Sequence, residues 1–247
     1  MLRCSRAASP SVSTVEHLLA ALEACGVDNA RVEAQGSGEM PILDGSAALW
    51  VEAIAQAGVT AARGRRGGPP RPRRALQLSR PLAVGDGDAF VAYVPGPVAR
   101  LTVGIDFAAH APVIDRQWFT WCPATDAHFY SAVAPARTFT TRGLLAEARC
   151  AGLVRGGSLE CALVADGHAW VNPPQRVAAE PCRHKLLDLV GDLALAAAPG
   201  HAGVPLGHVT AYKAGHALHA RFVAALVDAA ASEGDGAWVA PPLHKRD

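Results

Sequence analysis

Between Arg63 and Arg74 the chain carries six arginines interleaved with glycines and prolines, a stretch with no apolar periodicity that neither a helix nor a strand can use. That run divides the sequence into a short leading unit, residues 1–62, a linker, 63–74, and a longer unit, 75–233, followed by a tail, 234–247. The leading unit opens with a helix from Ser13 to about Cys25, where Val15, Leu18, Leu19 and Leu22 recur at helical spacing and Gly26 is the stop. Ala30, Val32 and Ala34 then alternate as a strand does, and after the turn-rich SGEMPILDGS a second helix runs from about Ala47 to Gln56. The longer unit begins with strand-like AFVAYVP, ARLTVGIDF, WFTWCP and ARTF. It continues with a helical GLLAEARCAG, a strand ECALVAD, a helix from about Pro181 to Ala198, a strand GHVTAYK and a helix from Ala217 to Ala231. Strands grouped before helices predict an α+β layered fold, not a doubly wound parallel sheet.

Half of the residues are apolar and 18% are charged, which excludes a disordered chain. The apolar stretches are interrupted too often for an integral membrane protein, so no transmembrane segment is expected. Net charge is +1, and without the six clustered arginines the remainder is −5. That balance, with no aromatic residues interleaved in the arginine run, argues against a nucleic-acid partner and makes the run a solvated linker. The six cysteines are scattered singly with no CxxC pair, which fits a reducing compartment. The opening MLRCSRAASPSVS is too short for a transit peptide and lacks a secretory apolar core.

Chemistry-bearing residues gather in three places. In RHKLLDLVGDL, His184, Asp188 and Asp192 fall at i, i+4 and i+8 and share one helical face. A His and an Asp one turn apart can hold a small cation, and the same spacing also arises as a helix salt bridge. In STVEH, Ser13 and Glu16 have the spacing of a capping box, with His17 beside them on the first turn. Glu16 is thus either a cap or a base beside a metal, and His17 either a surface residue or a ligand. His216 stands where a strand turns into the last helix, as a helix-start residue or as an acid that needs a carboxylate such as Asp192 beside it. Only three lysines accompany twenty arginines, and two of them, Lys185 and Lys213, lie inside these motifs. The remaining histidines, His110, His128, His168, His201, His208, His219 and His244, show no ligand spacing.

Taken in order, TVEHLLAAL (14–22), GVDN (26–29), PILDGSA (41–47), ARTF (136–139), GGSLECALV (156–164), RHKLLDLVGDL (183–193) and YKAGHAL (212–218) resemble the signature segments of one family. It is that of the zinc-dependent UDP-3-O-acyl-N-acetylglucosamine deacetylases of lipid A biosynthesis. The resemblance implies two layered α/β sandwich domains packed helix-side to helix-side, one zinc ion held by His17, His184 and Asp188, and a fourth position left for water. It further implies Glu16 as the base, Thr138 as a stabiliser of the oxyanion, and His216, steadied by Asp192, as proton donor to the leaving amine. Lys185 and Phe139 are implied as substrate contacts, and Gly143–Val154 as an apolar passage for the acyl chain, with ordinary core as the other reading of its leucines. The partner implied is a UDP-sugar lipid, bound by a monomer.

The sequence also departs from the family. The resemblance begins at Met1 without the family's opening strands, so an incomplete first domain is expected, with a truncated, non-catalytic homologue as the alternative reading. Thr140 replaces a glycine, Cys161 an asparagine, and residues around Pro199–Pro205 are extra. The YKAGHALH wording is similar to members from photosynthetic eukaryotes, which implies mitochondria or another organelle, or the cytoplasm if the source is bacterial. A His, His, Asp set accepts iron as well as zinc.

Overall fold

A computed structural model describes residues 3–4, 11–35, 38–62, 73–152, 154, 158–198 and 200–241. The residues of the arginine run before Arg73, together with Leu153, Gly156, Gly157 and Pro199 of the segments singled out above, lie outside them. The fold is mixed α and β, with six α-helices and several sheets among the described residues, in agreement with the α+β expectation.

The leading residues form the short strands β1 (Arg3–Cys4) and β2 (Val12–Ser13), paired antiparallel, then helices α1 (Glu16–Ala24) and α2 (Ala48–Ala57). The expected strand at residues 30–35 does not form. Residues 30–35 are exposed and irregular, and alternation alone does not make a strand when, among the described residues, no neighbouring segment takes up the backbone hydrogen bonds. The capping box is also absent. Ser13 spends its backbone groups on β-type bonds to Gly38 and Met40, Val15 precedes the helix without a side-chain cap, and the Glu16 carboxylate turns inward.

A five-stranded sheet follows, built from β4 (Leu82–Asp86), β5 (Ala89–Val94), β6 (Ala99–Asp106), β7 (Arg116–Trp121) and β11 (Gly207–Tyr212) in the order β4-β5-β11-β6-β7. All neighbours run antiparallel except β11 and β6, which are parallel and pair Val209 with Leu101. Alternation along β11 buries Gly207, Val209 and Ala211, while His208, Thr210 and Tyr212 take the opposite, partly exposed face. On that face Trp118 lies flat on Tyr212, ring centroids 5.2 Å apart, because Gly104 beneath it has no side chain to lift the indole. A smaller sheet holds β8 (Thr138–Thr141), β9 (Ala162–Asp166) and β10 (Ala169–Trp170) in the order β10-β9-β8. Its parallel β8–β9 pair needs a crossover, which includes α4 (Arg142–Cys150), capped by Thr141. The pair β3 (Ala75–Leu76) and β12 (Trp238–Val239) joins the start of the longer unit to the segment after residue 233 that the sequence reading set apart as a tail.

Helix α5 (Glu180–Leu193) is buried along nearly its whole length, and packs on α1, on the strands β6 and β7, and on α6 (His216–Glu233). Leu186, Leu187, Leu189, Val190 and Leu193 fill its apolar sides and belong to one core with Val91, Tyr93, Leu101 and Phe222. A helix so enclosed is normally apolar all round. This one carries His184, Asp188 and Asp192 into the interior, each 2% exposed or less.

Two anchors hold α1 against the rest. The Glu23 carboxylate accepts the backbone N–H groups of Gly203 and Val204 and an ion pair from Arg73 at 2.8 Å. Arg73 also reaches Asp28 at 2.6 Å, so this last-but-one arginine of the run is a clamp on α1 and not part of a solvated linker. The second anchor is backbone contact between α1 and α5 at Gly191.

Candidate metal centre

The start of α1 and the first half of α5 bring His17, His184 and Asp188 together. Asp188 Oδ1 lies 3.3 Å from His184 Nε2 and 3.8 Å from His17 Nε2. The two imidazoles stand edge to face with centroids 4.9 Å apart, and all three residues are 4% exposed or less. Donor atoms around one tetrahedral zinc, each about 2.0–2.2 Å from it, stand about 3.3–3.5 Å from one another. The Asp188–His184 separation has that form, the Asp188–His17 separation is somewhat longer, and the donor atoms of the three residues all lie within 4.8 Å of one another.

The surroundings aim these donors inward. His184 Nδ1 donates to the Ala136 carbonyl at 3.0 Å, which fixes the tautomer and leaves the Nε2 lone pair directed at Asp188. Burial first of all pushes the His184 pKa down to about 4, so the ring is neutral and able to donate a lone pair at ordinary pH. Burial alone would raise the Asp188 carboxyl, but Lys185, His184 and His216 hold it below the usual carboxylate range. Lys185 Nζ donates to Asp188 Oδ2 at 2.6 Å, which leaves Oδ1 for the histidine side.

Glu16 and His216 border the cluster from different helices. Glu16 is buried, its Oε1 lies 3.8 Å from His216 Nε2, and its Oε2 has no hydrogen-bond partner among the described residues. A buried carboxylate oxygen left without a partner beside three metal-type donors fits a site that a cation and its water complete. His216 Nδ1 donates to Asp192 Oδ2 at 2.8 Å. Burial would lower His216, but that hydrogen bond and the charges of Asp188 and Asp192 outweigh it and leave the imidazole above its ordinary value.

The other singled-out residues fall nearby or elsewhere. Thr138 opens β8, two residues after the carbonyl that holds His184, with its backbone N–H on Gly45 O. Phe139 packs edge to face on the His184 ring at 6.5 Å and on Phe107 at 5.4 Å. Along α4, Leu144 is exposed, and no side chain of the helix is buried. Cys161 is tied to its own turn, its thiol donating to Ser158 O at 3.2 Å. Its carbonyl approaches Gly45, φ +76°, so closely that no side chain fits there. Thr140 pairs with Val164 in the β8–β9 ladder, and its hydroxyl donates to the neighbouring Thr141 carbonyl.

Sequence spacing missed two participants. Ala136 contributes only a backbone carbonyl, which no residue type announces. His219, 2% exposed, donates to the same Asp192 oxygen as His216, at 2.6 Å; its i+3 relation to His216 was the available signal. Asp192, His216 and His219 also cluster closely enough to suggest an ion, but contacts of 2.6 and 2.8 Å are direct hydrogen bonds, shorter than donors keep across a shared cation.

The fold and this site define an α+β protein with a buried His, His, Asp cluster, bordered by a carboxylate and an imidazole on separate helices. The family described as UDP-3-O-acyl N-acetylglycosamine deacetylase (LpxC) matches residues 2–228, and the chain belongs to that family. A relative from Arabidopsis thaliana named probable UDP-3-O-acyl-N-acetylglucosamine deacetylase 1, mitochondrial, is 45% identical over 215 residues, 84% of this chain and 65% of its own length. Two cyanobacterial proteins named UDP-3-O-acyl-N-acetylglucosamine deacetylase are similar too. The one from Thermosynechococcus vestitus is 47% identical over 216 residues, 87% of this chain and 70% of its own, and the one from a Nostoc species 45% over 210 residues, 84% and 70%. The chain thus spans about two thirds of the length of the relatives it matches. No helix among the described residues is long and apolar enough to cross a membrane.

Proposed function

We propose that this chain is a zinc-dependent deacetylase that hydrolyses the acetamide of UDP-3-O-acyl-N-acetylglucosamine to the free amine and acetate, an early step of lipid A biosynthesis. The observation that carries the reading is the cluster of His17, His184 and Asp188 at metal-ligand spacing, with the unpartnered Glu16 Oε2 beside it. Those three residues would hold one zinc ion per monomeric chain. A bound zinc ion supplies Lewis acidity, which makes water a stronger acid and a carbonyl a better electrophile.

The chain's own groups account for the proton traffic. Glu16 takes a proton from the attacking water as the new C–O bond forms at the acetamide carbon. The Thr138 hydroxyl donates to the carbonyl oxygen as negative charge develops there. His216, kept protonated by Asp192, gives its proton to the nitrogen as the C–N bond breaks, so the amine leaves neutral. Lys185 and Phe139 contact the substrate, Lys185 by exchanging its Asp188 bond for an anionic group, and the exposed Leu144 side of α4 lies along the acyl chain.

The test is acetate release from UDP-3-O-acyl-N-acetylglucosamine by the purified chain, with zinc supplied at one equivalent and then removed by chelation. Metal-dependent turnover is expected. A folded, zinc-loaded chain with no turnover would overturn the reading in favour of a non-catalytic homologue that binds substrate or a partner.

A further inference from the structure

Asp192 is shared between two imidazoles. Its Oδ2 accepts from His216 Nδ1 at 2.8 Å and from His219 Nδ1 at 2.6 Å, while its Oδ1 is buried with no hydrogen-bond partner among the described residues. Asp192 is wholly buried, and the side chains of His219 and His216 are 2% and 20% exposed. The two histidines sit on the first turn of α6 with perpendicular rings 6.2 Å apart, and Asp192 comes from α5. One carboxylate oxygen that accepts from both rings requires a hydrogen on both Nδ1 atoms. His216 Nε2 is therefore the atom turned toward Glu16, 3.8 Å from its Oε1.

We infer that His219 is a positioning residue that fixes the plane of the Asp192 carboxylate and so keeps Oδ2 on His216 Nδ1. The torsion that orients an aspartate carboxylate is broad and two-fold, so one imidazole leaves the plane loosely set, and the idle Oδ1 can rotate into its place. A second donor on the same oxygen, from a ring enclosed in the core, removes that freedom. His216 then keeps one orientation and one tautomer while Asp188, Lys185 and Glu16 supply charges around it. This role rests on the proposed hydrolysis, in which His216 gives up the proton.

Two replacements of His219 separate positioning from packing. Asparagine carries an amide N–H close to where Nδ1 stands, and leucine fills space without a donor. In the full-length, zinc-loaded chain, His219→Leu is expected to lower kcat by about 10- to 30-fold, a fraction of what a general acid supplies, with KM within about twofold. His219→Asn is expected to restore kcat to within about threefold of the parent. Low-field proton NMR of the imidazole N–H groups gives a readout independent of turnover. The His216 Nδ1–H signal, assigned by its loss in His216→Ala, is expected to broaden or move in the leucine variant and to persist in the asparagine variant. A leucine variant with parental kcat and an unmoved His216 signal overturns the inference. If the parent chain has no activity but the signals respond as described, the hydrolysis reading fails and the His219–Asp192–His216 relation stands.

Discussion

A methyl group built on Gly191 would stand 2.0 Å from the carbonyl oxygen of Glu16, so α1 and α5 meet backbone to backbone at that level. The contact lies beside the donors: Glu16 and His17 start α1, and Asp188 and Asp192 flank Gly191 on α5. The crossing of these two helices therefore sets the distance from His17 to Asp188, and glycine at 191 is what lets them approach.

Gly191→Ala is expected to force the helices apart. Overpacking of this kind costs about 1–3 kcal/mol, and the His17–Asp188 spacing of 3.8 Å widens with it. Thermal unfolding together with zinc titration checks this. A variant that loses stability but binds zinc with parental affinity would show that the crossing does not set the site.

Asp188→Ala removes the carboxylate that faces both His17 and His184 and strands the Lys185 ammonium, which donates to it at 2.6 Å. Metal content after gel filtration is expected to fall at least about tenfold, with acetate release falling in parallel. A metal-free variant that keeps the parental rate would end the metal-dependent reading.

In the proposed hydrolysis His216 gives the proton to the leaving amine, so activity is expected to decline as pH rises through its pKa. Asp192 and Asp188 hold that pKa above the ordinary 6.5 against the opposing effects of burial and Lys185. Asp192→Asn removes the nearer negative charge, so the alkaline limb of kcat/KM should move to lower pH. An unmoved limb, measured on the zinc-supplied chain, would assign it to another group.

Glu180, wholly buried at the start of α5, accepts from the Arg137 backbone at 2.9 Å, from its guanidinium at 2.8 and 3.1 Å, and from Arg176 N–H at 2.8 Å. Burial alone would raise its carboxyl, but these donors hold it below the ordinary 4.5. Its folded pKa is thus depressed, so its contribution to stability is complete above about pH 4.5 and is lost as pH falls through the lower, folded value. Glu180→Gln leaves the Arg137 charge buried and uncompensated, with an expected loss of about 3–5 kcal/mol. Urea unfolding from neutral to acid pH should show the parent losing stability more steeply than the variant. Parallel curves would contradict the assignment.

Local spacing determined much of this protein. The helices α1, α5 and α6 follow from apolar periodicity, and His184, Asp188 and Asp192 share a face because 3.6 residues make a turn whatever the helix packs against. Where partners are distant in sequence, spacing was silent or misleading. Glu16 has capping-box spacing, yet Ser13 is engaged in β-type bonding and the carboxylate turns toward His216. Ala30, Val32 and Ala34 alternate like a strand, yet residues 30–35 stay irregular and exposed, because a strand is made by its neighbour as much as by its own residues. His219 showed no ligand spacing because its partner, Asp192, belongs to another helix. The sequence by itself set which residues share a helix face, since that depends on covalent geometry. Only the tertiary structure decided that α1 crosses α5 at Gly191, that the Ala136 carbonyl turns His184 Nε2 inward, and that two imidazoles meet on one oxygen of Asp192. Those relations join segments far apart in the chain, and only burial of the common core brings them within hydrogen-bond and metal-ligand distance.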